Sequence, residues 1–191
     1  MKSFLKVIQL HKNESLLIKK AIKQNREAQR MLYDQHAPKM LSVCRYYIKD
    51  LQHAEEAMLN GFFKVFSNLK SYTGVGSFEG WIRKIMVRES ISLLRQQKRV
   101  EFAIEDIEFE HQVSSVIKNE MDVAEIQYLI DGLPEGYRMV FVMYAIEGYK
   151  HYEISKLLNI SEGTSKSQLF KARKMLQRKI EEINKVSYGI K

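Results

Sequence analysis

Cysteine occurs once in 191 residues, at Cys44, and proline twice, at Pro38 and Pro134. A lone cysteine excludes a disulfide framework and any cysteine-rich zinc site. Only Pro38 and Pro134 are expected to interrupt the chain, and the long stretches between contain nothing that forbids a helix. No apolar run approaches the ~20 residues that span a bilayer, so membrane insertion is not expected. Residues 1–12 carry three lysines but neither an adequate apolar stretch nor a small-residue cleavage site, a poor secretory signal. The histidines (His11, His36, His53, His111, His151) are scattered without metal-ligand spacing. No phosphate-binding loop or nucleophile elbow occurs either. These absences lead to the expectation of a cytoplasmic chain without cofactor, metal or enzymatic activity of its own.

What is present in excess is positive charge, and it is unevenly placed. The chain has 31 Lys+Arg against 23 Asp+Glu, a formal charge of +8. Residues 1–13 contribute +3, residues 14–99 +8, residues 100–122 −6 and residues 123–191 +3. Two basic blocks flanking an acidic bridge read as two modules and a linker. Polyanion binding becomes a candidate function, although a basic surface can also serve solubility alone.

Apolar residues recur at helical steps of three and four. Leu51, Ala54, Met58, Phe62, Val65, Phe66 and Leu69 form one stripe. The loop Ser71-Tyr72-Thr73-Gly74-Val75-Gly76 breaks it, and Ser77 can cap a new helix with Phe78, Ile82, Ile85 and Leu93 on its apolar face. Glu89 falls on that face and needs either an arginine partner or a shift of burial. The tract 100–122 alternates Val100, Phe102, Ile104, Ile107 and Phe109 with acids and is expected to be an extended linker. Val123, Ile126, Leu129, Ile130 and Leu133 resume the helical pattern. Pro134 suits the start of a helix with Val140, Phe141, Tyr144 and Ala145 inward. The expected fold is all-α, two helical domains over 14–99 and 123–185, joined by a flexible acidic linker over 100–122. Tails remain at 1–13 and 186–191.

Residues 151–183 carry the most specific pattern. A short helix over 152–158, with Ile154, Leu157 and Leu158 inward, meets a turn Asn159-Ile160-Ser161 in which Ile160 fills the corner and Ser161 caps the next helix. Positions 165, 169, 172, 176, 180 and 183 of that helix share a sector of roughly 80°. The opposite face offers Thr164, Ser167, Gln168, Lys171, Lys174 and Arg178, and residues 166–179 hold six bases and no acid. Hydroxyls, an amide and cations on one face suit a helix laid in a DNA major groove. Small Gly163, Thr164 and Ser165 permit close approach at its N-terminal end. Gln168 and Lys171 are the expected base readers, and Lys166, Arg173 and Lys174 the expected phosphate contacts.

The same stretch, with Leu133-Pro134-Glu135-Gly136-Tyr137-Arg138 and Glu147-Gly148-Tyr149 before it, resembles the promoter-reading C-terminal domain of sigma factors. His53-Ala54-Glu55-Glu56, Phe62-Phe63-Lys64-Val65-Phe66 and Gly76-Ser77-Phe78-Glu79-Gly80-Trp81-Ile82-Arg83 are similar to the other domain of the two-domain, extracytoplasmic-function type of the sigma-70 family. The resemblance implies binding to core RNA polymerase and promoter DNA, with minus-35 recognition by the helix-turn-helix and minus-10 recognition and melting by the first domain. It implies polymerase contact through Glu55, Glu56, Phe63 and Phe66. A Gln-Glu pair usual in the family is replaced here by Leu59 and Asn60. It also implies minus-10 contacts from Tyr72 and Ser77 of the loop and from the basic run Arg83, Lys84, Arg88, Arg95, Lys98 and Arg99. There Tyr72 can stack an unpaired base or pack on its own domain. Trp81 is expected to be structural, and Arg88 and Ser92 stand where the family commonly has Asn and Asp. The acidic tract resembles the interdomain linker, which in the family threads toward the polymerase active site. A separate anti-sigma factor is a compatible partner. The competing reading is a dimeric helix-turn-helix regulator that binds an operator; it leaves residues 14–99 without a task.

Overall fold

The computed structural model describes residues 14–101 and 123–188, with side chains over 14–97 and 123–183. The linker and tails expected from the sequence lie outside these residues, except where two helices run on to 101 and 188. Every regular element among the described residues is helical. They form two compact units that divide between Gln96 and Gln97.

The first unit comprises α1 (residues 14–22), α2 (Arg26–Tyr47), α3 (Leu51–Ser67), a 3-10 turn (Leu69–Ser71) and α4 (Phe78–Glu101). Asn25 and Asp50 cap α2 and α3, accepting from Ala28 N–H and His53 N–H at 2.8 Å each. Their short side chains satisfy N–H groups that the first helical turn leaves without partners. Pro38 was expected to interrupt the chain but lies inside the 22-residue α2. One missing N–H costs a ladder bond on an exposed surface, and packing along the rest of the helix outweighs it.

The core runs through Leu32, Met40, Val43 and Tyr47 of α2, Ala54, Met58, Phe62 and Val65 of α3, and Phe78, Ile82, Met86 and Ile91 of α4. Tyr33 meets Phe62 edge-on at 4.8 Å. Gly61 lies against Met86 of α4, whose side-chain end would have to move to admit an added Cβ. Beside it Glu89 pairs with Lys64 Nζ at 2.6 Å, so the partner is a lysine from α3 rather than an arginine. Burial on α4 shifts as well, from Ile85 and Leu93, both half-buried, to Met86, Val87, Ile91 and Leu94. A further ion pair and a hydrogen bond tie the helices: Lys39–Glu79 at 2.9 Å, and the buried His36 with Nε2 3.0 Å from Glu14 Oε1.

The second unit comprises α5 (Val123–Asp131), α6 (Glu135–Phe141), a π turn (Val142–Ile146), α7 (His151–Leu158) and α8 (Glu162–Tyr188). Pro134 is the N-cap of α6, one position before its first helical residue, Glu135. The helical stripe expected of Val140, Phe141, Tyr144 and Ala145 fails after its first two members. The π turn adds a residue to the helical period, with Glu147 N–H reaching Val142 C=O at 3.0 Å. Val142 and Met143 are therefore buried, while Tyr144 and Ala145 are exposed. Leu129, Ile130, Leu133, Ile154, Leu169 and Ala172 complete the core, with α6 and α7 packed on α8. Val123 and Ile126 of the expected stripe are exposed.

Candidate nucleic-acid interface

Asn159 ends α7 in the left-handed conformation (φ 56°), which asparagine tolerates better than most residues. Ile160 N–H returns to Ser155 C=O at 3.1 Å, the six-to-one bond that closes such helix ends. At the other end of α7, Lys150 N–H donates to the Glu153 carboxylate at 2.8 Å. Ser161 then caps α8, its Oγ accepting from Thr164 N–H at 2.9 Å and lying 2.8 Å from Thr164 Oγ1. Two helices joined by so short and so fully bonded a turn give α8 a defined direction. Ile160 is half-buried at the corner, as its apolar character demands.

Lys166, Ser167, Lys171, Arg173 and Lys174 are exposed on α8, and Thr164 and Gln168 are half-buried. Among the described residues no carboxylate pairs with Lys166, Lys171, Arg173, Lys174 or Arg178. Lys171 Nζ lies 5.9 Å from the centre of the Tyr137 ring, and Arg173 lies over Tyr144 at 5.7 Å. Such cation–π contacts steady a long side chain without neutralising it. Gln168 rests against α6: a Cβ on Gly136 would come within 3.2 Å of its Nε2. Ser165 departs from the expectation of a DNA contact. It is fully buried, and its Oγ lies 2.8 Å from His151 Nδ1. Its place on the inward stripe decides this, since a side chain between α7 and α8 has no route to an external groove.

Phe170 went unnoticed in the sequence, yet it is 68% exposed in the middle of the cationic face. The available signal was its phase: it follows buried Leu169 and so lies off the inward stripe. His151 and Tyr144 were likewise missed, because their partners are close in space and not in sequence.

On the first unit, Gly74 (φ 79°) and Gly76 (φ 78°) bend the loop before α4 and leave Val75 86% exposed at its tip. Tyr72 packs on the domain. Its ring meets Phe78 at 5.1 Å and Trp81 at 5.5 Å, and its hydroxyl donates to Gly76 C=O at 2.9 Å. It is thus committed to the loop rather than offered as an open stacking platform. Burial, and after it the Glu14 carboxylate, raises the Tyr72 phenol above its ordinary pKa. Ser77 caps α4, accepting from Gly80 N–H at 3.0 Å. Lys84, Arg88 and Arg95 are exposed and, with Trp81 and Ser92, fall in one sector of roughly 80° on α4. Arg83 lies about 100° from Lys84 and is half-buried. The side chains of Lys98 and Arg99 lie outside the described residues.

The outer face of α3 presents Glu55, Glu56, Leu59, Asn60 and Phe63, with Phe63 74% exposed. Phe66 is half-buried and stacks on Phe62 at 6.0 Å. Among the described residues no cluster of His, Cys, Asp and Glu could hold a metal ion, and no helix is long and apolar enough to cross a membrane.

Residues 32–100 match the family described as Sigma-70 region 2, and residues 124–176 match Sigma-70, region 4. The chain is 27% identical to the ECF RNA polymerase sigma factor SigE of Mycolicibacterium smegmatis, over 76% of this chain and 59% of that protein. It is 24% identical to the ECF RNA polymerase sigma factor SigW of Bacillus subtilis, over 88% of this chain and 99% of that one. In fold it is similar to the sigma factor RpoE of Bartonella quintana, solved with the anti-sigma factor NepR (TM-score 0.55, 16% identity, 80% of this chain and 96% of that one). It is also similar to CnrH, solved with the cytosolic domain of CnrY (TM-score 0.50, 18% identity, 87% and 96%). With two family regions matched in order, largely one on each of the two units that the fold itself separates, the chain belongs to the sigma-70 family of RNA polymerase sigma factors.

Proposed function

We propose that this sigma factor directs core RNA polymerase to promoters by reading the minus-35 element with α8 and by capturing the melted minus-10 strand with the loop at 71–77 and the basic sector of α4. The observation that carries the reading is the outer face of α8, where cations without carboxylate partners surround exposed Ser167 and Phe170. Lysine and arginine seat a helix on phosphates, while Lys171 and Phe170 suit a guanine edge and a thymine methyl. Thr164, Lys166, Arg173 and Lys174 complete the contact, with Gln168 at its α6 side. On α4, Lys84, Arg88 and Arg95 follow the displaced strand, joined by Arg83, Lys98 and Arg99 as the run continues.

Glu55, Glu56, Phe63 and Phe66 form the polymerase contact, with Leu59 adding apolar area where the family carries a polar residue. The protein acts in the cytoplasm and supplies no catalysis; the chemistry belongs to polymerase. Neither unit needs tight DNA binding alone, because tethering to polymerase raises effective concentration. A separate anti-sigma protein would regulate it, as the sigma factor RpoE was solved with the anti-sigma factor NepR.

The test is reconstituted transcription with core polymerase on a promoter library. Specific initiation is expected. A chain that never co-purifies with core enzyme and shifts duplex DNA alone as a dimer is an operator-binding regulator instead. In the holoenzyme, Lys171→Ala is expected to weaken binding to the upstream element by about 1–3 kcal/mol and to leave polymerase affinity unchanged. A parallel loss of polymerase affinity would refute the assignment.

A further inference from the structure

Ser165 is fully buried near the start of α8 in an otherwise apolar stripe with Leu169 and Ala172. A hydroxyl there needs a hydrogen-bonding partner, and His151 from the first turn of α7 supplies it at 2.8 Å. The same imidazole stacks on Tyr144, with ring centres 4.6 Å apart and planes at 23°. Tyr144 reaches that place because the π turn at Val142–Ile146 rotates it out of the core. The Arg173 guanidinium in turn lies over Tyr144 at 5.7 Å, on the outer face of α8. Three consecutive contacts thus run from inside the helix-turn-helix to a surface arginine, and His151 is the joint between them.

We infer that His151 is a positioning residue for promoter binding: through Nδ1 it seats the N-terminal turn of the recognition helix, and through its ring and Tyr144 it aims Arg173 at a DNA phosphate. A guanidinium lying on an aromatic face keeps its N–H groups at the edge of the stack, free to meet a phosphate in a fixed orientation. The imidazole's two tasks use different parts of it, so they separate by substitution. His151→Asn keeps an amide near the Nδ1 position and removes the ring. His151→Phe keeps a ring for Tyr144 and removes the hydrogen bond, as Ser165→Ala does from the other side.

The inference rests on the promoter-reading role of α8, and the experiment distinguishes the two. Holoenzyme binding to a promoter duplex is measured across a salt series for the parent, Arg173→Ala, His151→Asn, His151→Phe, Ser165→Ala and the His151→Asn/Arg173→Ala pair, with thermal melting of each free variant. Arg173→Ala is expected to lower the slope of log K against log salt by about one phosphate contact. His151→Asn should lower it equally, and the double variant no further. His151→Phe and Ser165→Ala should each keep the parent slope and weaken binding roughly three- to tenfold at every salt concentration. A parent-like slope in His151→Asn, or additive losses with Arg173→Ala, overturns the inference alone. Parent-like binding by Arg173→Ala overturns the inference, while the reading of α8 as the DNA face falls only if Lys171→Ala is parent-like as well. Ser165→Ala carries the hydrogen-bond arm if His151→Phe fails to melt cooperatively.

Discussion

The basic faces of α4 and α8 carry similar side chains over different foundations. Beneath α4 lie charges and polar groups that face one another across helices: Lys64–Glu89, Lys39–Glu79 and the buried His36–Glu14 pair. Beneath α8 the core is apolar but for Arg138 and the Ser165–His151 contact, and the outer cations rest on the tyrosine rings of neighbouring elements. In the first arrangement Lys39 of α2 and Lys64 of α3 are engaged by carboxylates of α4, so the helices are held partly by charge. The second holds its helices with a capped turn and apolar packing, which leaves its cations available. The net charges of the two blocks, +8 and +3, do not by themselves say which cations a polyanion could reach. What matters is how many cations have no carboxylate to answer to.

The two units can be broken one at a time. Ile82→Ala and Ile154→Ala each remove a fully buried side chain, one from each core. Each is expected to cost about 2–5 kcal/mol, with hydrogen exchange accelerated in its own unit and unchanged in the other. Acceleration in both units would contradict the division at Gln96–Gln97.

Burial of a titratable thiol also makes the first unit sensitive to pH. Burial, with a smaller contribution from the Glu89 charge, pushes the Cys44 thiol up to about 11, against an opposing hydrogen bond from Ser90. The unfolded chain releases that proton near pH 9, whereas the folded chain retains it. The stabilisation is complete below pH 9 and lost as pH rises towards 11, by about 2–3 kcal/mol in all. Cys44→Ala should flatten the stability profile over that range, and native alkylation at pH 8 should be slow.

A smaller effect is expected at the ion pair. Lys64→Met leaves the largely buried Glu89 carboxylate without its lysine and should cost about 1–2 kcal/mol, less than a fully buried pair because Lys64 is itself half-exposed. Glu89→Gln in the same chain should restore part of the loss. The smallest effect sharpens the comparison on the α8 side. Gly136→Ala must displace the Gln168 amide by a few tenths of an ångström. Promoter affinity should change by less than about 0.5 kcal/mol if Lys171, Phe170 and the phosphate contacts dominate. A larger loss would make Gln168 a base reader of the first rank.

Much of this arrangement was legible in the order of residues. The stripe Ala54, Met58, Phe62, Val65 and the stripe Ser165, Leu169, Ala172 show the helical period, and burial follows them. The caps at Ser77 and Ser161 also follow from residue type, because a helix start needs a nearby acceptor. Pro38 misled because a local rule about one missing N–H was outweighed by the packing of a whole helix. Tyr144 misled because a single π turn changes the phase of every residue after it. Ser165 was ambiguous: its residue type suits a DNA contact, while its phase places it inside.

Composition and periodicity thus determined that the chain is helical, that it has two basic blocks and where the recognition helix begins. These properties arise from neighbours along the chain, within the reach of one helical turn. Only the tertiary structure decided which cations remain available and which side chains serve as supports. The pairing of Lys64 with Glu89 joins residues 25 apart in sequence, and that of His151 with Ser165 joins residues 14 apart. Their free energy depends on desolvation and on distances set by the packing of separate helices, quantities that no single helix contains.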